Sequence, residues 1–200
     1  MTGVQALERV TDKRTMKQGM IEKIEYEYKR HGTQCLFGGL DVATGKVFGE
    51  CRKHRKEQDF VEFIQLLENN YSDYKQLRIV VDNLNTHQSA TLVEYVAKIS
   101  DYKEDLGTKG KTGILKSQKS RAEFLSKRDH KIIFFYTTKH ASWMNQIETW
   151  FGIIGRKVIK RGSFDSVETL KNRMLAFIEY FNETMAAPYK WDYAGGVLKE

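Results

Sequence analysis

The chain has few cysteines, no long apolar run and no nucleotide-binding fingerprint. Two cysteines in 200 residues cannot build a disulfide scaffold or a four-thiolate zinc site. No apolar stretch reaches the ~18 residues that a membrane span needs. The opening, Met1-Thr-Gly-Val-Gln-Ala6, has no charged region followed by an apolar one, so it does not read as a secretory signal. No Ser-His-Asp order, P-loop or dinucleotide motif appears. What remains is a chain with 40% hydrophobic and 12% aromatic residues, enough for one compact domain with its own core. Its net charge of +7 and pI of about 9.2 favour a polyanionic partner, although solubility alone accounts for such a charge in many proteins.

The first 33 residues are polar and charged. Thr11-Asp-Lys-Arg14 and Lys17-Gln-Gly19 read as exposed loop, and Ile21, Ile24, Tyr26 and Tyr28 as an extended segment. Gln34 to Val42 and Lys46 to Cys51 form the clearest hairpin. Asp41 suits the first position of a type I turn, and Gly45 supplies a left-handed residue. That context assigns Asp41 to turn chemistry rather than catalysis. Pairing Asp41 with Gly45 would also set Cys35 opposite Cys51, as free thiols of a reducing cytosol. A basic cluster follows (Arg52, Lys53, Arg55 and Lys56), which is either a charged loop or a phosphate contact. Phe60, Phe63, Ile64 and Leu67 then repeat at helical spacing. A further helix is capped by Ser89 and turns Leu92, Val93, Val96 and Ile99 inward, and a last one is capped by Ser166, with Val167, Leu170, Met174, Phe177, Ile178 and Phe181 in the core.

Two carboxylates stand out. Leu77-Arg-Ile-Val-Val-Asp82 is an apolar, β-branched run ending in an acid, as a buried strand delivering Asp82 to a sheet edge would be. Ile132 to Tyr136 is a second such strand, leading into His140-Ala-Ser-Trp-Met-Asn-Gln-Ile-Glu-Thr-Trp-Phe151. There Asn145 is a good N-cap and Glu148 sits three positions on, so the pair fits a capping box. The same Glu148, in a helix's first turn, can share a divalent ion with Asp82. Mg²⁺ needs only one or two protein carboxylates, with water and phosphate completing its shell. Two such ions about 4 Å apart activate a nucleophile and steady the leaving oxygen of a phosphodiester. Ile147, Phe151, Ile154 and Val158 continue the helix, Gly152 and Gly155 leave room beside Glu148, and Arg156, Lys157, Lys160 and Arg161 crowd its far end. Those cations complement a helix C-terminus and equally offer phosphate contacts.

Val81-Asp82-Asn83, His140 to Phe151 and the basic Arg156 to Ser163 resemble, in that order, the DDE transposases of bacterial insertion sequences in the mariner superfamily. The likeness runs from Gln5-Ala-Leu-Glu8 to Pro188-Tyr-Lys-Trp191. It implies an α/β, ribonuclease H-like fold with a mixed central sheet flanked by helices, as a single domain. It also implies Mg²⁺ (or Mn²⁺) as cofactor and DNA, as transposon ends and target, as partner. Asp82 and Glu148 become the metal-binding catalytic acids, with Asn83, His87 and Asn145 supporting them. Ser142 and Trp143 fall in the motif, Trp143 most simply as packing. Residues 101–129, with a net charge of +3, form an insertion between the two acids. Its glycines Gly107, Gly110 and Gly113 predict a flexible first half, and Ala122, Phe124 and Leu125 a short helix in the second.

The family's first acid lies a few residues before its Gln-Ala-Leu segment, and no acid precedes Gln5 here. The resemblance thus implies that the chain begins just downstream of the first catalytic Asp and lacks part of the first strand. As it stands the chain would bind metal weakly and cleave DNA little. Two alternatives stay beside that reading. One is a non-catalytic DNA-binding remnant or regulator that pairs with a full-length transposase, as a dimer of like chains would. The other is a ribonuclease H-like nuclease of different substrate. A cytoplasmic, nucleoid-associated prokaryotic setting accompanies all three.

Overall fold

A computed structural model describes residues 1, 3–10, 27–71, 73–138 and 145–188. The readings made for Thr11 to Tyr26, for His140, Ser142 and Trp143, and for Tyr189 to Trp191 lie outside those residues.

The first three strands form an antiparallel sheet in the order β1-β2-β3: β1 is Val4–Arg9, β2 Tyr28–Leu40 and β3 Val47–Arg52. β2 is long enough to pair with β1 through its first half and with β3 through its second. The hairpin forms where the sequence places it. Asp41 Oδ1 accepts the Ala43 N–H at 2.9 Å, Oδ2 accepts the Thr44 hydroxyl at 2.8 Å, and Gly45 has φ +75°. The register differs from the expected one by a residue. Asp41 N–H donates to Lys46 O at 2.9 Å, so Cys35 opposes Arg52 and Cys51 opposes Leu36. A one-residue slip exchanges the faces of a strand, and the two thiols therefore lie on opposite faces and are both free. Burial pushes the Cys51 thiol up to about 11.

The two faces of this sheet carry different helices. Leu36, Leu40, Val47 and Cys51 pack with α4 (Gln146–Ile154) and α5 (Val167–Thr184). Glycine is required there: a Cβ on Gly38 would stand 2.9 Å from the Phe151 ring, and one on Gly49 2.3 Å from Ile178 Cδ1. Phe37 and Phe48 face the other way, toward α1 (Glu57–Asn70), where Phe37 and Phe63 rings lie 5.8 Å apart. The predicted stripe Phe60, Phe63, Ile64 and Leu67 is buried as a set. Each such side chain contributes about 1.5–3 kcal/mol on leaving water.

β4 (Leu77–Val81) and β5 (Ile132–Tyr136) pair in parallel as a separate two-stranded sheet. The single mixed sheet expected from the resemblance is thus two sheets among the described residues. Leu77, Ile79, Val81, Ile132 and Phe134 turn toward α1, α2 (Ala90–Ile99) and α3 (Gln118–Leu125). Ser89 caps α2 and Ser166 caps α5, each through its side chain, as the sequence predicts. The 101–129 insertion is not the loose excursion its glycines imply. Gly107, Gly110 and Gly113 take positive φ in a compact loop, and Leu115, Phe124 and Leu125 are buried in the core shared with α1 and α2. No described helix is long and apolar enough to cross a membrane.

Candidate active site

Asp82 follows β4 directly, and Glu148 lies in the first turn of α4. Though 66 positions apart in sequence, both line one cavity of about 720 Å³, together with Met1, Arg55, His87, Asn145 and Gln146. Val81 and the rest of β4 bring Asp82 there because a strand's last residue ends at its sheet's edge. Glu148 reaches the same place because Trp150, Phe151 and Ile154 anchor α4 on the sheet. Trp150 is fully buried against Phe151, Phe177 and Phe181. Its spacing from Ile147 and Ile154 is helical, so it belonged to the apolar stripe from the start.

The capping box at Asn145 does not form. Asn145 is the N-cap, but its side chain makes no capping bond, and the helix start is closed by Glu148 N–H donating to Asn145 O at 2.9 Å. The Glu148 carboxylate is thereby released from cap duty and stands exposed at the cavity.

Asp82 is held on several sides. His87 Nδ1 lies 2.7 Å from its Oδ1, and the Leu84 N–H donates to that oxygen at 3.1 Å. The His87 bond holds the Asp82 carboxyl below its ordinary 3.8, against the opposing effect of burial. His87 is fixed in turn: its ring lies 4.3 Å from that of Phe60, and Tyr136 donates its hydroxyl to the His87 carbonyl at 2.9 Å. Asn83 does not reach toward the carboxylates. Its amide donates to Thr137 O at 2.6 Å and its oxygen accepts from Gln88 at 3.3 Å, tying the ends of β4 and β5 together. The insertion braces the same loop, with Arg121 Nε donating to Gln88 O at 2.6 Å.

The basic residues divide into two groups. Arg52 is consumed internally: it pairs with Glu50 at 2.8 Å, with Asp59 at 3.7 Å and with Glu62. Burial opposes its charge, but Glu62 and Glu50 outweigh that and raise its pKa. Its charge is matched by these three acids, so of the two readings open for the cluster Arg52 takes a structural part. Lys53, Arg55, Lys56, Arg156, Lys157, Lys160 and Arg161 are exposed, and among the described residues none has an ion-pair partner. Lys56 also begins α1, its N–H donating to Asp59 at 2.6 Å. The carbonyls near Lys160 are served by an unforeseen residue: Arg9 of β1 donates to Lys160 O at 3.0 Å and to Gly162 O at 3.5 Å. The four cations after α4 are thus spared from that duty.

Met1 was not foreseen either. Its ammonium donates to Leu36 O at 2.9 Å. Burial lowers its pKa from 8.0, while Glu148 and, more weakly, Asp82 act in the opposite sense. The amino terminus therefore lies within the field of both carboxylates.

Two carboxylates with solvent access form a hard oxygen donor set of the kind Mg²⁺ accepts, with water filling the rest. Among the described residues no group of three or more His, Cys, Asp or Glu side chains is gathered around a common point. Asp82 and Glu148, as hard oxygen donors on the wall of one cavity, are chemically suited to such an ion.

No match was found among curated proteins or among solved structures. The sequence matches the family of DDE superfamily endonucleases over residues 2–171. With that match spanning most of its length, the chain belongs to the DDE superfamily endonuclease family.

Proposed function

We propose that this chain is the catalytic domain of a DNA transposase with a ribonuclease H-like fold, acting on DNA phosphodiesters through a divalent ion held by Asp82 and Glu148. The observation that supports the reading is that both residues, from distant parts of the sequence, line one cavity. A divalent ion bound there supplies Lewis-acid stabilisation of the phosphate and a water of lowered pKa. His87 keeps Asp82 ionised and engages its Oδ1, leaving Oδ2 available to an ion. Glu148 supplies the second anionic oxygen from a helix whose position the Trp150 cluster fixes.

Arg55, at the cavity itself, and Arg156, Lys157, Lys160 and Arg161, beyond α4, suit phosphate contacts that position DNA without reading its sequence. Asn145, beside Glu148, presents an amide with no capping role, available to orient a water.

Iron-mediated backbone cleavage tests the reading without requiring turnover. Fe²⁺ in place of Mg²⁺, with ascorbate and peroxide, cuts polypeptide near its site. Cuts clustered at Asp82–Leu84 and at Asn145–Glu148, suppressed by Mg²⁺, are expected. Cuts at other positions, or none that Mg²⁺ suppresses, would contradict it.

A further inference from the structure

His130 sits in the polar run Arg128-Asp-His-Lys131 that leads into β5, yet it is only 3% exposed. Neither ring nitrogen has a hydrogen-bond partner among the described residues. The ring lies instead against Phe124 of α3, with centroids 4.4 Å apart, and Phe124 meets Tyr102 edge-on at 5.1 Å. The backbone around it is fixed. Gln76 donates to the carbonyls of Arg128 and His130 at 2.8 and 3.1 Å, and Lys131 N–H donates to Ser100 Oγ at 3.2 Å. With the segment tied on both sides, the motion left to His130 is rotation of its side chain.

A neutral imidazole suits that seat and a charged one does not. An imidazolium carries two N–H donors with no acceptor there, and burying an unpaired charge is costly. The Phe124 ring already has the Lys127 ammonium 5.5 Å from its centroid, so a second cation on it meets repulsion. Burial holds the His130 pKa below its ordinary 6.5, with Asp129 acting in the opposite sense and Lys127 in the same one. The other charged groups of the surrounding segments, Lys75, Lys98, Asp101, Lys103, Glu104 and Glu123, exert no comparable effect on the ring. Asp129 is the anion beside it: its exposed carboxylate has Oδ1 3.9 Å from Nε2, just beyond bonding distance. A proton on His130 therefore favours turning the ring out of its seat and toward Asp129.

We infer that His130 is a proton-operated latch on the 101–129 insertion: neutral, it seats α3 against the core, and protonated, it leaves Phe124 and lets α3 open. A helix of eight residues does not persist by itself. α3 is held by its buried Phe124 and Leu125, by the Ser117 cap at its start, and by Ser126 Oγ donating to Phe134 O at 2.9 Å. The opening reaches the cavity through Arg121, which α3 carries. Arg121 donates to Gln88 O, and the Gln88 amide donates at 3.3 Å to Asn83, the neighbour of Asp82. Release of α3 thus removes a brace from the loop that holds Asp82 and His87, and acid loosens that loop. The latch does not depend on the ion proposed for Asp82 and Glu148, and its test uses no metal.

The test is residue-resolved amide exchange on the whole chain at about pH 7.5 and about pH 5.5, corrected for the intrinsic pH dependence of exchange. A ring that titrates near 6.5 once released, and not while seated, favours opening by about tenfold for each pH unit below that value. Protection of Ser126, whose N–H bonds to Ala122 O, and of His87, whose N–H bonds to Leu84 O, should therefore fall about tenfold on acidification, while that of Val93 in α2 holds. His130→Phe keeps an aromatic ring on Phe124 without a titrating group and should show no such fall; whatever the His87 ring contributes is common to both proteins. A second measurement covers a variant that does not fold: the His130 imidazole resonance of the parent should titrate below 6.5, and lower still in Asp129→Asn. An equal fall in the parent and in His130→Phe, an imidazole titrating at or above 6.5, or loss of protection in α3 without loss at His87 overturns the inference.

Discussion

Gly38→Ala should loosen the seat of Glu148. A Cβ at Gly38 would meet Phe151 Cε1 and Cζ at 2.9 Å and Ile147 Cδ1 at 3.4 Å. Phe151 is only 8% exposed, so its ring has little room to retreat. Overpacking of this kind costs about 1–3 kcal/mol. The loss of glycine's freedom in the unfolded chain returns roughly 0.4–1 kcal/mol. A net loss of about 1–2 kcal/mol remains, or roughly 2–8 °C in Tm for a domain of this size. Thermal unfolding followed by circular dichroism measures it. The cause is isolated by Phe151→Leu, which shortens the ring that Ala would strike. In that background the Gly38→Ala loss should shrink by about 1 kcal/mol, a coupling expected of residues in contact. A Gly38→Ala protein as stable as its parent would refute the reasoning, as would an undiminished loss in the Phe151→Leu background.

Two further outcomes follow from the same geometry. His87→Ala removes the bond that lowers the Asp82 pKa, so that pKa should rise, as read by carboxyl carbon chemical shifts. Because the folded value lies below 3.8, Asp82 contributes stability that is present above that pH and lost as pH falls through its folded pKa; the variant should show less of this acid dependence. A double substitution, Arg156→Gln with Lys157→Gln, should reduce the slope of log affinity for duplex DNA against log salt by about 1.8, from about 0.9 per phosphate contact, whereas neutralising Arg52 should destabilise the fold before it alters that slope.

The helices were legible because each buries one stripe. Phe60, Phe63, Ile64 and Leu67 needed only a period to be assigned, and Ser89 and Ser166 only a hydroxyl before it. The hairpin turn was legible from Asp41 and Gly45, but its register was not. Both faces of β2 are covered by helices, so Leu36 and Phe37 are alike apolar and no alternation fixes the pairing. Asp82 and Glu148 were visible as a strand-end acid and a first-turn acid, whereas their place on one cavity wall depends on contacts far apart in sequence. Arg52 shows the converse limit: a basic run names the charges without saying which of them Glu50, Asp59 and Glu62 will neutralise. The separation into two sheets had no local signal, since Leu77 to Val81 reads as a buried central strand whether or not its outer edge is paired.

The sharing of one divalent ion by residues 82 and 148 is measured most directly by Mn²⁺ titration, followed by electron paramagnetic resonance of the free ion, on the parent, Asp82→Asn, Glu148→Gln and the double variant. Each single substitution should weaken the site at least tenfold, and the double variant should lose little more than either single one, because one ion needs both oxygens. Parent-like binding in either single variant, or two independent losses that simply multiply, would show that the carboxylates do not hold a common ion.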